Sequence, residues 1–317
     1  MNWRRRVDEM GVVVALVLVF VIFGALVGPG FFRGANVELM ARQAAIVCVA
    51  AFGMTMVIVS GGIDLSVGSV VALSTVVTAV ALRAGSSPMT AAVAAVGLAA
   101  ACGLLNGVLV SGLRVVPFIV TLGTMLVVRG VAKGMADERR VDAPVSALNG
   151  LLRASSSDSV LWLPPGIWLV AALAILVAAT LRYTQFGRHL FAIGSNERTA
   201  RLCGVRVSRC KVVVYTLAGA LAGLAGVMEF SRLSVGDPTV AVGLELDVIA
   251  AVIIGGGSLA GGRGTIAGTL AGAAIMVVIQ VGCSQLGLPN WVQQIVTGGI
   301  IVCAVGLDQW RRSQARA

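Results

Sequence analysis

Charge is the first thing this chain lacks. Only 12% of its 317 residues are Asp, Glu, Lys or Arg, against about a quarter in a soluble domain, so it is not built to face water on all sides. Histidine is nearly absent too. His189 stands alone in a polar stretch, with no HExxH zinc motif and no G-x-S-x-G nucleophile elbow anywhere. The six cysteines, Cys48, Cys102, Cys203, Cys210, Cys283 and Cys303, are scattered without CxxC or metal spacing. Most fall inside apolar runs, where a free thiol behaves as a small hydrophobe. Acids within apolar stretches are Asp64, Glu229 and Asp247, too few for an Asp/Glu/His proton relay. These absences exclude an enzyme and a metal site, and leave no cofactor for the chain itself to bind.

What is present is hydrophobic: 58% of the residues are apolar. Apolar runs fall at roughly 11–29, 41–60, 66–82, 90–111, 115–132, 167–182, 211–231, 246–258, 264–283 and 291–308, judged against the ~20 residues that cross a bilayer. They predict an all-α polytopic membrane protein of about ten transmembrane helices, several short, in a single domain over 1–317. The start, MNWRRRVDEM followed by GVVVALVLVFVIFGALVG, has the layout of a signal peptide. Its apolar part is long enough to span and no A-x-A site follows, so a retained first helix is expected, with Arg4, Arg5 and Arg6 in the cytoplasm.

The net charge of +10 does not point to nucleic acid, because the basic residues lie between apolar runs without aromatic interleaving. Membrane topology accounts for them. An even number of spans places both termini in the cytoplasm, together with loop 183–210 and its Arg188, Arg198, Arg201, Arg206 and Arg209. Loop 133–166, with Pro144, Pro164, Pro165 and a serine run, then faces outward with little regular structure.

Two glycine clusters interrupt the apolar text. VIVSGGIDLSVGSVVAL, residues 57–73, places Gly61, Gly62, Asp64 and Ser66 between apolar strips. Gly61 and Gly62 end one helix there and Asp64 caps the next, or Asp64 meets a translocated ligand. AVIIGGGSLAGGRGTIAGTL is a faint echo of it, as in transporters with repeated, interrupted helices. Within this second cluster GSLAGGRGT only superficially resembles a phosphate loop: Arg263 and Gly264 replace the lysine and the hydroxyl that phosphate and magnesium need. Gly264, Gly268 and Gly272, like Gly219 and Gly223, recur every fourth residue and predict close helix packing. Asn106, Thr121 and Arg129 are polar residues in or near spans, fit either for inter-helix hydrogen bonds or for a polar translocation path.

In loop 183–210, Ser195 or Asn196 can cap a short helix through ERTARLC that stops at Gly204. Such a helix suits docking into another protein, with small Ala200 as the point of close approach.

SGGIDLSVGSVVAL (60–73), NGVLVSGLRVVPFIVTLGTMLVVRG (106–130), FGRHLFAIGSNERTARLCGV (186–205), AGALAGLAGV (218–227) and GLELDVIAAVIIGGGSLAGGRGTIAGTLAGA (243–273) together resemble the inner-membrane permease subunits of ribose-type ABC sugar importers. The resemblance covers most of the chain in order; loop 134–166 departs from it, and Thr199 stands where alanine is more usual. It implies a dimer with a second permease subunit, identical or not, in the bacterial inner membrane. It also implies a cytosolic ATPase carrying ATP and Mg, and an extracytoplasmic sugar-binding protein. Gly194, Asn196, Ala200, Arg201 and Gly204 would then form the segment that couples to the ATPase. An autonomous secondary transporter or channel is the alternative. The sugar itself is not named by these residues.

Overall fold

The computed structural model describes residues 3–113, 115–154 and 163–316. The side chains of Arg4, Arg5, Arg6, Arg311, Arg312 and Arg316, on which the expected topology leans, lie outside the described residues, as does the serine run at 155–157. Twelve α-helices are found among the described residues: α1 (Trp3–Val27), α2 (Gly34–Val59), α3 (Val67–Arg83), α4 (Pro88–Leu113), α5 (Pro117–Met135), α6 (Pro165–Tyr183), α7 (Gln185–Ser195), α8 (Glu197–Leu202), α9 (Val207–Leu233), α10 (Leu244–Ile254), α11 (Ile266–Gln285) and α12 (Asn290–Arg316). The fold is an all-α membrane bundle. Proline opens α4, α5 and α6, where its missing N–H is an orphan anyway and its φ is already helical.

Each of the ten expected apolar segments is helical, but they are not equal. Seven helices, α1, α2, α4, α5, α6, α9 and α11, are long and apolar enough to cross a membrane. Helix α3 has 17 residues, the apolar part of α12 covers Asn290–Gly306, and α10 has only 11. At 1.5 Å per residue α10 reaches roughly 16 Å, about half of the hydrocarbon thickness. The apolar run expected at 246–258 therefore crosses the true helix end at Gly255, after which Gly256 has φ +85°. Hydropathy alone does not register that stop.

Helix α2 is central. Its apolar window is 83% buried, against 6% for α1 and 17% for α5, whose apolar faces the chain itself leaves uncovered. Around α2 stand α9 and α11, and α9 packs closely on α4 through its glycines: a β-carbon at Gly219 would meet the Ala99 carbonyl and Gly103, and one at Gly223 the Ala99 side chain. At the end of the bundle away from α7 and α8, strand β1 (Val141–Asp142) pairs antiparallel with β2 (Val235–Gly236). Arg140 Nε donates to Asp237 Oδ2 at 2.8 Å, and Leu152 N to Ser231 Oγ at 2.9 Å. The described part of loop 133–166 is thus tied down to α9 and to the segment that follows it, through pairings that its own composition does not display.

Candidate functional site: a helix break beside a short capped helix

Helix α2 ends where Gly61 takes φ +79°, and the amides of Gly61 and Gly62 fold back onto the carbonyls of Ile58 (2.9 Å) and Val57 (3.0 Å). Gly62 has no room for a side chain, because a β-carbon would run into the Tyr215 hydroxyl and Val57. The chain then runs without regular structure to Ser66. The Ile63 carbonyl accepts from Thr121 Oγ1 of α5 (3.2 Å) and from the Tyr215 hydroxyl of α9 (3.3 Å). Asp64 Oδ1 accepts from Ser66 N at 2.9 Å and from Ser66 Oγ at 2.6 Å, and Asn106 Nδ2 of α4 donates to the same Ser66 Oγ at 2.9 Å. Asp64, Ser66, Asn106 and Thr121 are all buried.

A buried carboxylate costs several kcal/mol unless it is paired or well hydrogen-bonded. Asp64 meets that cost with hydrogen bonds, since no ion pair to it is found among the described residues. Its place differs from the expected cap. Ser66 occupies the cap position of α3 and makes no side-chain cap bond. Asp64 stands two residues earlier and holds the Ser66 N–H in an Asx-type turn. Asp64 thus supports the restart of α3 through Ser66. Asn106 and Thr121 join different helices to one seven-residue break, and Tyr215, which the sequence does not single out, completes the set. A lone tyrosine in an apolar run was the only available signal.

Nearby, the polar loop forms two helices rather than one. Thr184 Oγ1 caps α7 by accepting from Gly187 N at 3.1 Å, and Asn196 Oδ1 caps α8 by accepting from Thr199 N at 2.9 Å. Helix α8 closes with Gly204 at φ +84°, its N–H on Arg201 O and the Val205 N–H on Ala200 O, both 3.1 Å. This is the Schellman pairing that only a residue tolerant of positive φ allows cheaply. Glu197 is bridged on two sides, by Arg201 Nη2 at 2.8 Å and by Lys211 Nζ of α9 at 2.7 Å. Partial burial pushes the Glu197 carboxyl up, but hydrogen bonds and charge from Lys211 and Arg201 outweigh it and hold the group below its usual range.

Ala200 requires a correction. It is 5% exposed and packs into the core of its own chain, so it is not a point of approach to a partner. Four residues after the Asn196 cap, the helical period turns it back toward the bundle. The outward face instead carries Leu202, 82% exposed, among exposed Arg198, Arg201 and Cys203. An exposed apolar side chain on a capped helix between arginines is the surface feature that sequence reasoning passed over.

The two glycine clusters meet at α7. A β-carbon at Gly194 would overlap the Val59 carbonyl and the Gly262 N–H, and Gly262 N itself donates to Val59 O at 2.9 Å. Gly261 (φ +85°) touches Gly194 and Gly61. Thus the end of α7 lies in backbone contact with both interruptions of the bundle. Of the three spaced glycines, Gly268 and Gly272 face α10 so closely that β-carbons would strike the carbonyls of Gly255 and Ala251. Gly264 lies before α11 starts and packs on Val59 of α2 instead. Arg129 of α5 donates to Ser69 Oγ (3.2 Å) and to the carbonyls of Pro238 (3.0 Å) and Val240 (2.7 Å), fastening the chain that leads into α10.

A profile of the family described as the permease component of branched-chain amino acid transport systems matches residues 36–305. The chain belongs to this permease family. It is 38% identical over 301 residues to the ribose import permease protein RbsC of Escherichia coli strain K12, covering 95% of this chain and 93% of the relative. To the L-arabinose ABC transporter permease protein AraH of Azospirillum brasilense it is 37% identical over 311 residues, 98% and 90% of the two chains. To the fructose import permease protein FrcC of Rhizobium meliloti it is 35% identical over 308 residues, 95% and 85%. No solved structure matches it. The permease is a multi-pass membrane protein and the transport component of an ABC importer, not an enzyme. As such it works with an ATPase and a binding protein.

Proposed function

We propose that this permease forms the path through which a monosaccharide enters a bacterial cell across the inner membrane. A binding protein outside delivers the sugar, and a separate cytosolic ATPase, which holds the ATP and Mg, drives the cycle. Two permease subunits, identical or different, enclose the path. Both termini and α7–α8 face the cytoplasm, which fits the arginine-rich loop 183–210. The sugar assignment rests on the relatives named for ribose, L-arabinose and fructose import. It agrees with a bundle whose interior offers hydroxyls, amides and few charges, as a neutral polar solute needs.

The observation that carries the coupling role is the exposed Leu202 on a helix capped by Asn196 and Gly204, whose neighbour α7 touches both breaks through Gly194. The ATPase seats on that face, braced by the Glu197–Arg201 pair, and its movement reaches Gly61, Gly62 and the Gly261–Gly262 turn through backbone contact. Asp64, Ser66, Asn106 and Thr121 hold the first break while it moves and border the path. The test is to purify the importer with its co-purifying binding protein and screen that protein against sugars and amino acids. A pentose or hexose ligand is expected. A binding protein that takes only amino acids or metal ions rules out the sugar.

A further inference from the structure

At the end of the bundle opposite α7 and α8, a cavity of about 260 Å³ opens between α2, α3, α9, α10 and α11. Its polar lining is Gln43, Glu229, Arg232, Asp247 and Gln280, set against an apolar wall that includes Ile46 and Val71. Gln280 Nε2 donates to Asp247 Oδ2 at 2.8 Å, and Arg232 Nε to Glu229 Oε2 at 3.1 Å. A second cavity of about 260 Å³ shares Gln43 and Gln280 with the first and continues past Ser284, Gln285 and Gln293 toward the helix ends. Amide and carboxylate groups thus line one route from the ends of α11 and α12 inward to Asp247.

Helix packing alone does not need this. Ionisable and amide side chains within a bundle are costly, and they mark a ligand path by default. We infer that this cleft is a way-station for the sugar on the path that the two permease subunits enclose, apart from the break at Asp64. The inference rests on the sugar-import function proposed above and names residues for it. A volume of 260 Å³ equals on the order of nine waters at ~30 Å³ each, room enough for a monosaccharide.

The chemistry selects the class of ligand. A sugar hydroxyl both donates and accepts, and the glutamine amides do the same, while each carboxylate takes several donors. Ile46 and Val71 offer apolar surface to the C–H face of the ring. One arginine against two acids leaves the lining net negative, which disfavours a phosphate or a lipid headgroup. Arg232 is already bonded to Glu229, which leaves no cation for an amino-acid carboxylate.

The test uses the whole importer, permease with its ATPase and binding protein, in proteoliposomes supplied with radiolabelled ribose, arabinose and fructose in turn. Sugar taken up per ATP hydrolysed is compared for wild type, Gln43→Leu and the milder Gln43→Asn. The wild type is expected to take up one of the sugars. Both variants should keep ATPase stimulation by the loaded binding protein within twofold, while uptake per ATP falls about tenfold or more in Gln43→Leu and severalfold in Gln43→Asn. An unchanged ratio in either variant that retains ATPase stimulation overturns the way-station. If Gln43→Leu also loses ATPase stimulation, Gln43→Asn decides alone. A wild-type importer whose ATPase responds but which takes up none of the sugars overturns the sugar function itself, a different failure that the variants do not produce.

Discussion

Asp64 makes two hydrogen bonds through one oxygen, both to Ser66, and that fact sets what its substitution does. Asparagine retains an acceptor oxygen at the same place, so Asp64→Asn should assemble and transport close to wild type. Leucine leaves the Ser66 N–H and the Ser66 hydroxyl without their acceptor inside the bundle, a loss of about 1–3 kcal/mol. Asp64→Leu should therefore lower the yield of assembled importer and its thermal stability in detergent. Equal loss of transport in both variants at normal protein levels would show that the negative charge itself is required. At this scale much was legible: a carboxylate, a serine and two glycines in an apolar text already indicate a helix break. What was not legible is the offset of Asp64 from the cap, because nothing in the sequence marks Val67 as the first residue of α3. Tyr215, Asn106 and Thr121 converge on the break from three helices, and no local pattern in the sequence brings them together.

Helix α8 shows how a single turn of phase decides which side chains face outward. Its caps, Asn196 and Gly204, follow from residue type, because side-chain acceptors and positive φ belong to few residues. Its facing does not follow, since a six-residue helix between polar ends has too short a period to orient itself. Packing within the fold resolves it by burying Ala200 and exposing Leu202. Leu202→Glu should accordingly insert and assemble normally while ATPase co-purification falls at least tenfold. Ala200→Glu should instead reduce the permease itself, since a carboxylate buried without a partner costs a few kcal/mol. Pull-down of the ATPase, normalised to permease recovered, separates the two. Normal ATPase recovery with Leu202→Glu would leave α8 as a connector only.

For the whole molecule, hydropathy located the ten apolar segments but not their lengths, because α10 stops at glycines that are themselves counted as neutral. The meeting of Gly61, Gly194 and Gly261 lies beyond any window along the chain, although the echo between the two glycine clusters hinted at matching parts. Orientation is open to direct measurement. Cysteines placed at Arg4 and Arg316, in a background lacking the native thiols, should resist membrane-impermeant labelling from outside intact cells and react in inverted vesicles. Efficient labelling of either from outside would reverse the threading and place α8 away from any cytosolic ATPase. The central claim, that this chain passes a monosaccharide only when a partner ATPase turns over, is tested most directly by uptake. Proteoliposomes holding the permease, its ATPase and its loaded binding protein should accumulate ribose, arabinose or fructose with ATP and Mg inside the reach of the ATPase, and none when ATP is withheld. Accumulation at the same rate without ATP, or by the permease alone, would contradict the account.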